Sequence, residues 1–159
     1  MSAVARESTQ EEEQQKLFYA LIAQLRKIDC LQGLKNGALP NIIDILNNPP
    51  TDLEEVGEPH QALFTSENLD KGDDPRIVTI NYQCISSDNS EGKIAFHRHD
   101  NLDEIIITKG RPGYAGLPES LDQVGGYYIT LVPAGLDHGS DVKKSTGEWV
   151  SIKVAVDQE

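Results

Sequence analysis

Cysteine, basic charge and long apolar runs are all scarce in this chain. Its two cysteines, Cys30 and Cys84, lie far apart with no CxxC spacing in 159 residues. A disulfide framework is therefore not indicated, and two buried thiols are the simpler expectation. Lys and Arg number 14 against 26 Asp and Glu, a formal charge of -12. Such a surface repels phosphate backbones and anionic lipid, so neither a nucleic-acid nor a membrane partner is expected. No stretch approaches the roughly 20 apolar residues that span a bilayer. The opening "MSAVARESTQEEEQQ" also lacks the apolar run of a secretory signal, and the expected location is cytoplasmic. Aromatic residues make up only 6%, yet hydrophobic content of 38% suffices for one core and is too high for a wholly disordered chain.

What is present falls into three zones. Up to about residue 37, Leu17, Phe18, Leu21, Ile22, Leu25 and Ile28 recur at helical spacing, and Gly33 and Gly37 supply a stop. Ser8 three residues before Glu11 reads as a capping box at the start of that helix. Residues 38–75 are transitional: "NIIDILNNPP" fits a short helix or an edge strand, and His60 in "GEPHQALF" reads as a loop residue. From residue 76 the texture changes to short strands with turn signals between them. In "RIVTINYQCIS", alternation puts Val78, Ile80, Tyr82 and Cys84 on one face. "KIAFHRH", "DEIIITKG", "GGYYITLVP" and "EWVSIKVAV" follow, which suggests an all-β sandwich or barrel.

Three of the four histidines gather in two places. In "FHRHDNLDE", alternation along a strand sends His97 and His99 to one face and Arg98 to the other. Two imidazoles two strand rises apart, each about 3.3 Å, can converge on one ion. Glu104 shares a face with Ile106 and Thr108, and antiparallel pairing across "DNLD" would return it beside the histidines. The third, His138, follows Pro133 and Gly135 in "VPAGLDHGSD", turn formers able to aim it inward. Imidazoles with one carboxylate suit a divalent first-row transition metal and leave positions open for water or substrate.

These segments resemble the two motifs of the cupin superfamily, written G-x5-H-x-H-x3,4-E-x6-G and G-x5-P-x-G-x2-H-x3-N. "GKIAFHRHDNLDEIIITKG" carries His97, His99, Glu104 and a closing Gly110, and "GYYITLVPAGLDHGSD" carries Gly126, Pro133, Gly135 and His138. Gly92, Gly110 and Gly126 each stand one residue out of place, and Asp141 stands one place early where the pattern has Asn. Those departures fall in turns and strand lengths, and all four ligand positions are filled. The resemblance covers residues 76–155, leaves the first 60 residues outside it, and implies a single antiparallel β-barrel of jelly-roll type. With the helical spacing before it, the expected organisation is an N-terminal helical extension over residues 1–37 and the barrel domain over residues 38–159. The resemblance also implies His97, His99, Glu104 and His138 as ligands of one divalent transition metal.

The fold does not select a reaction, since cupins include dioxygenases, isomerases, lyases, decarboxylases and plain binders. A fainter likeness bears on this choice. "HRHDNLDE" and "GLDHGSD" resemble the iron-binding segments of homogentisate dioxygenase, which would imply oxygenolytic cleavage of an aromatic ring. The expectation is thus an Fe(II) dioxygenase acting on a small chelating substrate, with no catalytic residue assigned. The alternatives are a lyase or isomerase using Mn, Zn or Ni as Lewis acid, and a non-catalytic small-molecule binder. Tyr82, Tyr114, Tyr128 and Arg111 are candidate substrate neighbours. The amphipathic segment at 11–31 fits a homodimer contact or a cap on its own domain equally.

Overall fold

The computed structural model describes residues 3–33, 36–56, 63–72, 74–85, 93–110, 114–115, 122–141 and 147–156. A helix α1 (Ala3–Leu25) is followed by 3-10 turns at Asp29–Leu31 and Asn36–Ala38 and by a short α2 (Ile42–Asn47). Strands follow: β1 (Leu53–Val56), β2 (Leu63–Ser66), β3 (Ile77–Ile85), β4 (Lys93–His97) and β5 (Leu102–Lys109). The remainder are β6 (Tyr114–Ala115), β7 (Asp122–Val124), β8 (Tyr127–Val132), β9 (His138–Asp141) and β10 (Glu148–Ala155). No helix among the described residues is long and apolar enough to cross a membrane.

The strands form two antiparallel sheets, a large one in the order β1-β2-β3-β10-β5-β8-β7 and a small one in the order β4-β9-β6. From β3 to β6 the chain changes sheet at every connection, and it does so again from β8 through β9 to β10. This is the two-sheet, jelly-roll form of an all-β protein that the strand pattern and the cupin motifs implied. The described ladders do not close into a continuous barrel, because β1 and β7 remain edges and the small sheet is built from short strands. One local expectation is corrected. β4 and β5 do not pair across the "DNLD" turn; β4 pairs with β9, while β5 lies between β10 and β8. A turn between sheets looks the same in sequence as a turn within one.

The central strands are buried on both sides, so their alternation separates two surfaces rather than core from solvent. One face of the large sheet carries Ile80, Ile105, Ile107, Ile129, Val150 and Ile152, packed with Leu21, Ile22 and Leu25 of α1 and Ile42, Ile43 and Leu46 of α2. Each such side chain removed from water contributes about 1.5–3 kcal/mol, which is why the helical stripe lies here. The stripe at Leu17 to Leu25 is as the spacing predicts, but α1 already begins at Ala3, so Ser8 lies inside it and is no cap. "NIIDILNN" resolves as a helix because the Asn41 side chain accepts the Asp44 N–H at 3.1 Å. In β3 the core takes Ile77, Ile80 and Tyr82, leaving Val78 38% exposed. The register skips one residue there, since Lys153 pairs with Thr79 and Val154 with Ile77. Val78 is the extra residue of a bulge, which breaks simple alternation.

Candidate metal centre

The opposite face of the large sheet carries different chemistry. Glu104, Ile106 and Thr108 of β5 project there with Val132, Thr130 and Tyr128 of β8 and with Lys153 and Ser151 of β10, as their pairing shows. Ile106, Val132 and Trp149 form a small apolar cluster flanked by Leu136. Into this surrounding Glu104 inserts a carboxylate that is only 7% exposed. Ser151, fully buried on the neighbouring strand, donates its Oγ–H to Glu104 Oε2 at 2.5 Å.

His138 reaches the same carboxylate from the small sheet. The turn before it is set by Gly135, whose φ of +83° suits glycine although a side chain there would meet nothing within 4 Å. Leu136 N–H closes the turn by donating to Pro133 O at 3.2 Å. Two further bonds tie it to the first motif: Gly135 N–H donates to His99 O at 2.8 Å, and Ala134 N–H to the Asp103 side chain, Oδ1, at 2.8 Å. The two histidine segments are therefore held together by one main-chain bond and one carboxylate clamp, without an ion. His138 Nδ1 stands 3.1 Å from Leu136 O and donates to it, which directs Nε2 toward Glu104 Oε1 at 3.3 Å.

His99 follows the end of β4 and brings Nε2 to 3.8 Å from the same Oε1, with its side chain 28% exposed. The rings of His99 and His138 lie 5.3 Å apart between centroids. The potential ligand atoms of His99, Glu104 and His138 all fall within 4.8 Å of one another. Two donors bound at about 2.0–2.2 Å to one ion stand at most ~4.4 Å apart, so both His–Glu separations fit a shared ion. Two imidazoles and a carboxylate, one imidazole held in a single tautomer and the carboxylate held by a hydroxyl, make a donor set that fits a first-row divalent metal.

Electrostatics point the same way. Burial alone would push the Glu104 carboxyl up, but hydrogen bonds from His138 and Ser151, with the charges of Lys153 and His138, hold it down at about 2. It is an anion at neutral pH. Burial disfavours the His138 imidazolium, yet hydrogen bonding to Glu104 and Leu136 and the charges of Glu104 and Asp137 outweigh it and raise its value. A metal at Nε2 would compete with that proton, so affinity should rise with pH through the histidine range.

Of the four ligands expected from the motifs, three come together. For His97 the main chain pairs with His138 in the β4–β9 ladder, while its side chain lies outside the described residues. Arg98 is exposed and pairs with Asp100 at 3.3 Å, outward as expected, although β4 ends at His97 and strand alternation does not extend to Arg98 or His99. Tyr82 is not a neighbour of the site. It lies on the helix-covered face and donates its hydroxyl to Glu148 Oε2 at 2.5 Å, because beyond the bulge β3 turns Ile80 and Tyr82 to that core. Tyr128 stays on the face of Glu104, opposite Thr108. The side chain of Tyr114, and all of Arg111 and His60, lie outside the described residues. Sequence reasoning missed Ser151 and the Asp103 clamp on Ala134. The signal for the first was a small hydroxyl in the middle of the apolar run "WVSIKVAV".

No protein-family model matches this chain, and no curated protein matches its sequence. A solved structure described as KdgF from Halomonas sp. matches with a TM-score of 0.44 and 13% identity, over 69% of this chain and 93% of that one. The likeness to homogentisate dioxygenase gains no support from it.

Proposed function

We propose that this protein is a mononuclear metal-dependent oxidoreductase, an Fe(II) dioxygenase acting on a small chelating organic substrate of the aromatic or diketone kind. The observation that carries this reading is the convergence of His99, Glu104 and His138 on one buried point. Two histidines and one carboxylate with remaining positions open are the ligand set that non-haem Fe(II) oxygenases use. We include His97 as a fourth ligand on the strength of the motif alone.

When bound, Fe(II) supplies the redox chemistry that lets O2 react with an organic ligand held beside it. The protein's own groups do the rest. Glu104 offsets part of the metal charge, and Ser151 keeps the carboxylate from rotating. Leu136 O holds His138 in the tautomer that presents Nε2. Ile106, Val132 and Trp149 keep the surroundings apolar, which excludes water from the reacting groups. His99, the most exposed of the three, marks the side from which a substrate enters.

The test is O2 uptake by protein reconstituted anaerobically with Fe(II), screened against catechols and β-diketones. Substrate-dependent O2 consumption supports the reading. Turnover of a substrate without O2 consumption, best with Mn, Zn or Ni, would replace it with Lewis-acid lyase or isomerase chemistry. Saturable ligand binding with no turnover under any metal would make the protein a binding module.

A further inference from the structure

A lysine stands beside the metal-binding carboxylate on the inner face of the large sheet. Lys153 of β10 pairs with Glu104 of β5 on one side and with Thr79 of β3 on the other, so its side chain leaves the sheet next to Glu104. Opposed residues of this kind have Cβ atoms about 5 Å apart. Its other ladder neighbours on that face, Leu102, Ile106, Asn81, Ser151 and Ala155, carry no charge. Lys71, Arg76, Arg98 and Lys109 each hold an oxygen partner. Lys153 makes no hydrogen bond or ion pair among the described residues, and it acts on Glu104 only through its charge.

The face is open at this end and closed at the other. Lys153, Thr79 and Leu102 are half-buried and Asn101 and Ala155 are exposed, while Ile106, Thr108, Thr130 and Ser151 further along the same sheet are buried. His99, which reaches Glu104 from the turn before β5, is 28% exposed. A ligand that comes from solvent to the metal therefore meets Lys153 without entering the packed part of the face. Charge decides what that ligand is. A divalent ion exceeds the single negative charge of Glu104, and Lys153 adds a further positive charge beside it. Neighbouring positive charges partly shielded from water repel each other, and an anion that touches both relieves this.

We infer that Lys153 is a substrate-binding residue, its ammonium pairing with a carboxylate of a ligand that chelates the metal through other oxygens. The substrate class is thus an anionic chelator, an aromatic or diketone acid rather than its neutral counterpart. This rests on the metal-site reading above and specifies what that site accepts.

The test compares two ligands of one shape, 3,4-dihydroxybenzoate and the neutral 3,4-dihydroxybenzamide, by calorimetric titration of Zn-loaded protein. Wild type binds the acid about fivefold to tenfold more tightly than Lys153→Met does, and Lys153→Arg keeps most of that gain. All three bind the amide equally. Methionine preserves an unbranched apolar stem, so a lysine that only covers apolar surface would leave both affinities unchanged in Lys153→Met. That result, or equal weakening of both ligands, overturns the inference. Chelator competition supplies the control: Lys153→Met holds Zn as tightly as wild type or more so, since a nearby positive charge is gone. A tenfold loss of Zn affinity would make Lys153 a support for Glu104 and overturn the inference. Failure of wild type to retain Zn sinks the metal-site reading and the inference with it. Zn-loaded wild type that binds neither ligand overturns the inference alone.

Discussion

The two faces of the large sheet are made by alternate residues of the same strands, yet they do opposite things. On β5, Ile105 and Ile107 face the helices, while Glu104, Ile106 and Thr108 face the small sheet. On β10, Val150 and Ile152 face the helices, and Ser151 and Lys153 face the other way. The helix-covered face is mostly aliphatic and packs against α1 and α2. The inner face mixes a carboxylate, hydroxyls and a few apolar side chains. A strand buried on both sides can thus assign stability to one set of residues and chemistry to the set between them. Removing the helices would expose the aliphatic face, so the helical segment supports from behind the sheet that carries the site.

The largest expected effect breaks the stabilising face. Ile152→Ala, at a fully buried position, should cost about 2–5 kcal/mol in urea unfolding, with metal bound per folded molecule unchanged. Equal loss of metal and stability would show that the two faces are not separable. Next comes Ser151→Ala, one residue away on the opposite face. Its loss frees Glu104 Oε2 and should weaken metal affinity about 10- to 100-fold in chelator competition, with a stability loss of about 1–3 kcal/mol because a buried carboxylate is left short of a donor. A large stability loss without a change in affinity would reverse the assignment of that face.

The smallest effect concerns the closed side. Cys30 borders a cavity of about 430 Å³ with Lys27, Asp29, Asp103, Ile129 and Leu131, on the helix-covered side and away from the candidate metal site. Burial and the nearby Asp103 charge push its thiol from 9.0 up to about 11. In a Cys84→Ser background, iodoacetamide should therefore alkylate folded protein at pH 8 about 100-fold more slowly than urea-unfolded protein. Because the folded value lies above the unfolded one, ionisation of Cys30 lowers stability only as pH rises from about 9 to 11. Similar alkylation rates in the two states would mean this side is open.

The site was legible where its logic is local. H-x-H, the gap to Glu104 and the P-x-G turn before His138 each depend on spacing within one or two elements, and His99, Glu104 and His138 do meet. What was not legible depends on which sheet a strand joins. Pairing of β4 with β5 looked natural across a four-residue turn, but the partners were β9 and β10, far along the chain. The same non-local pairing hid Ser151 as the group holding Glu104 and moved Tyr82 to the helical core. Helix α1 was visible from its apolar stripe, while its start was not, because the polar turns before Glu11 carry no packing signal.

The most direct test is elemental analysis of protein purified without added metal or chelator, for wild type and Glu104→Ala, with circular dichroism to confirm that both are folded. The account predicts close to one equivalent of a first-row divalent metal in wild type, iron foremost, and almost none in the variant. One equivalent retained in folded Glu104→Ala, or none in wild type even after reconstitution, would contradict it.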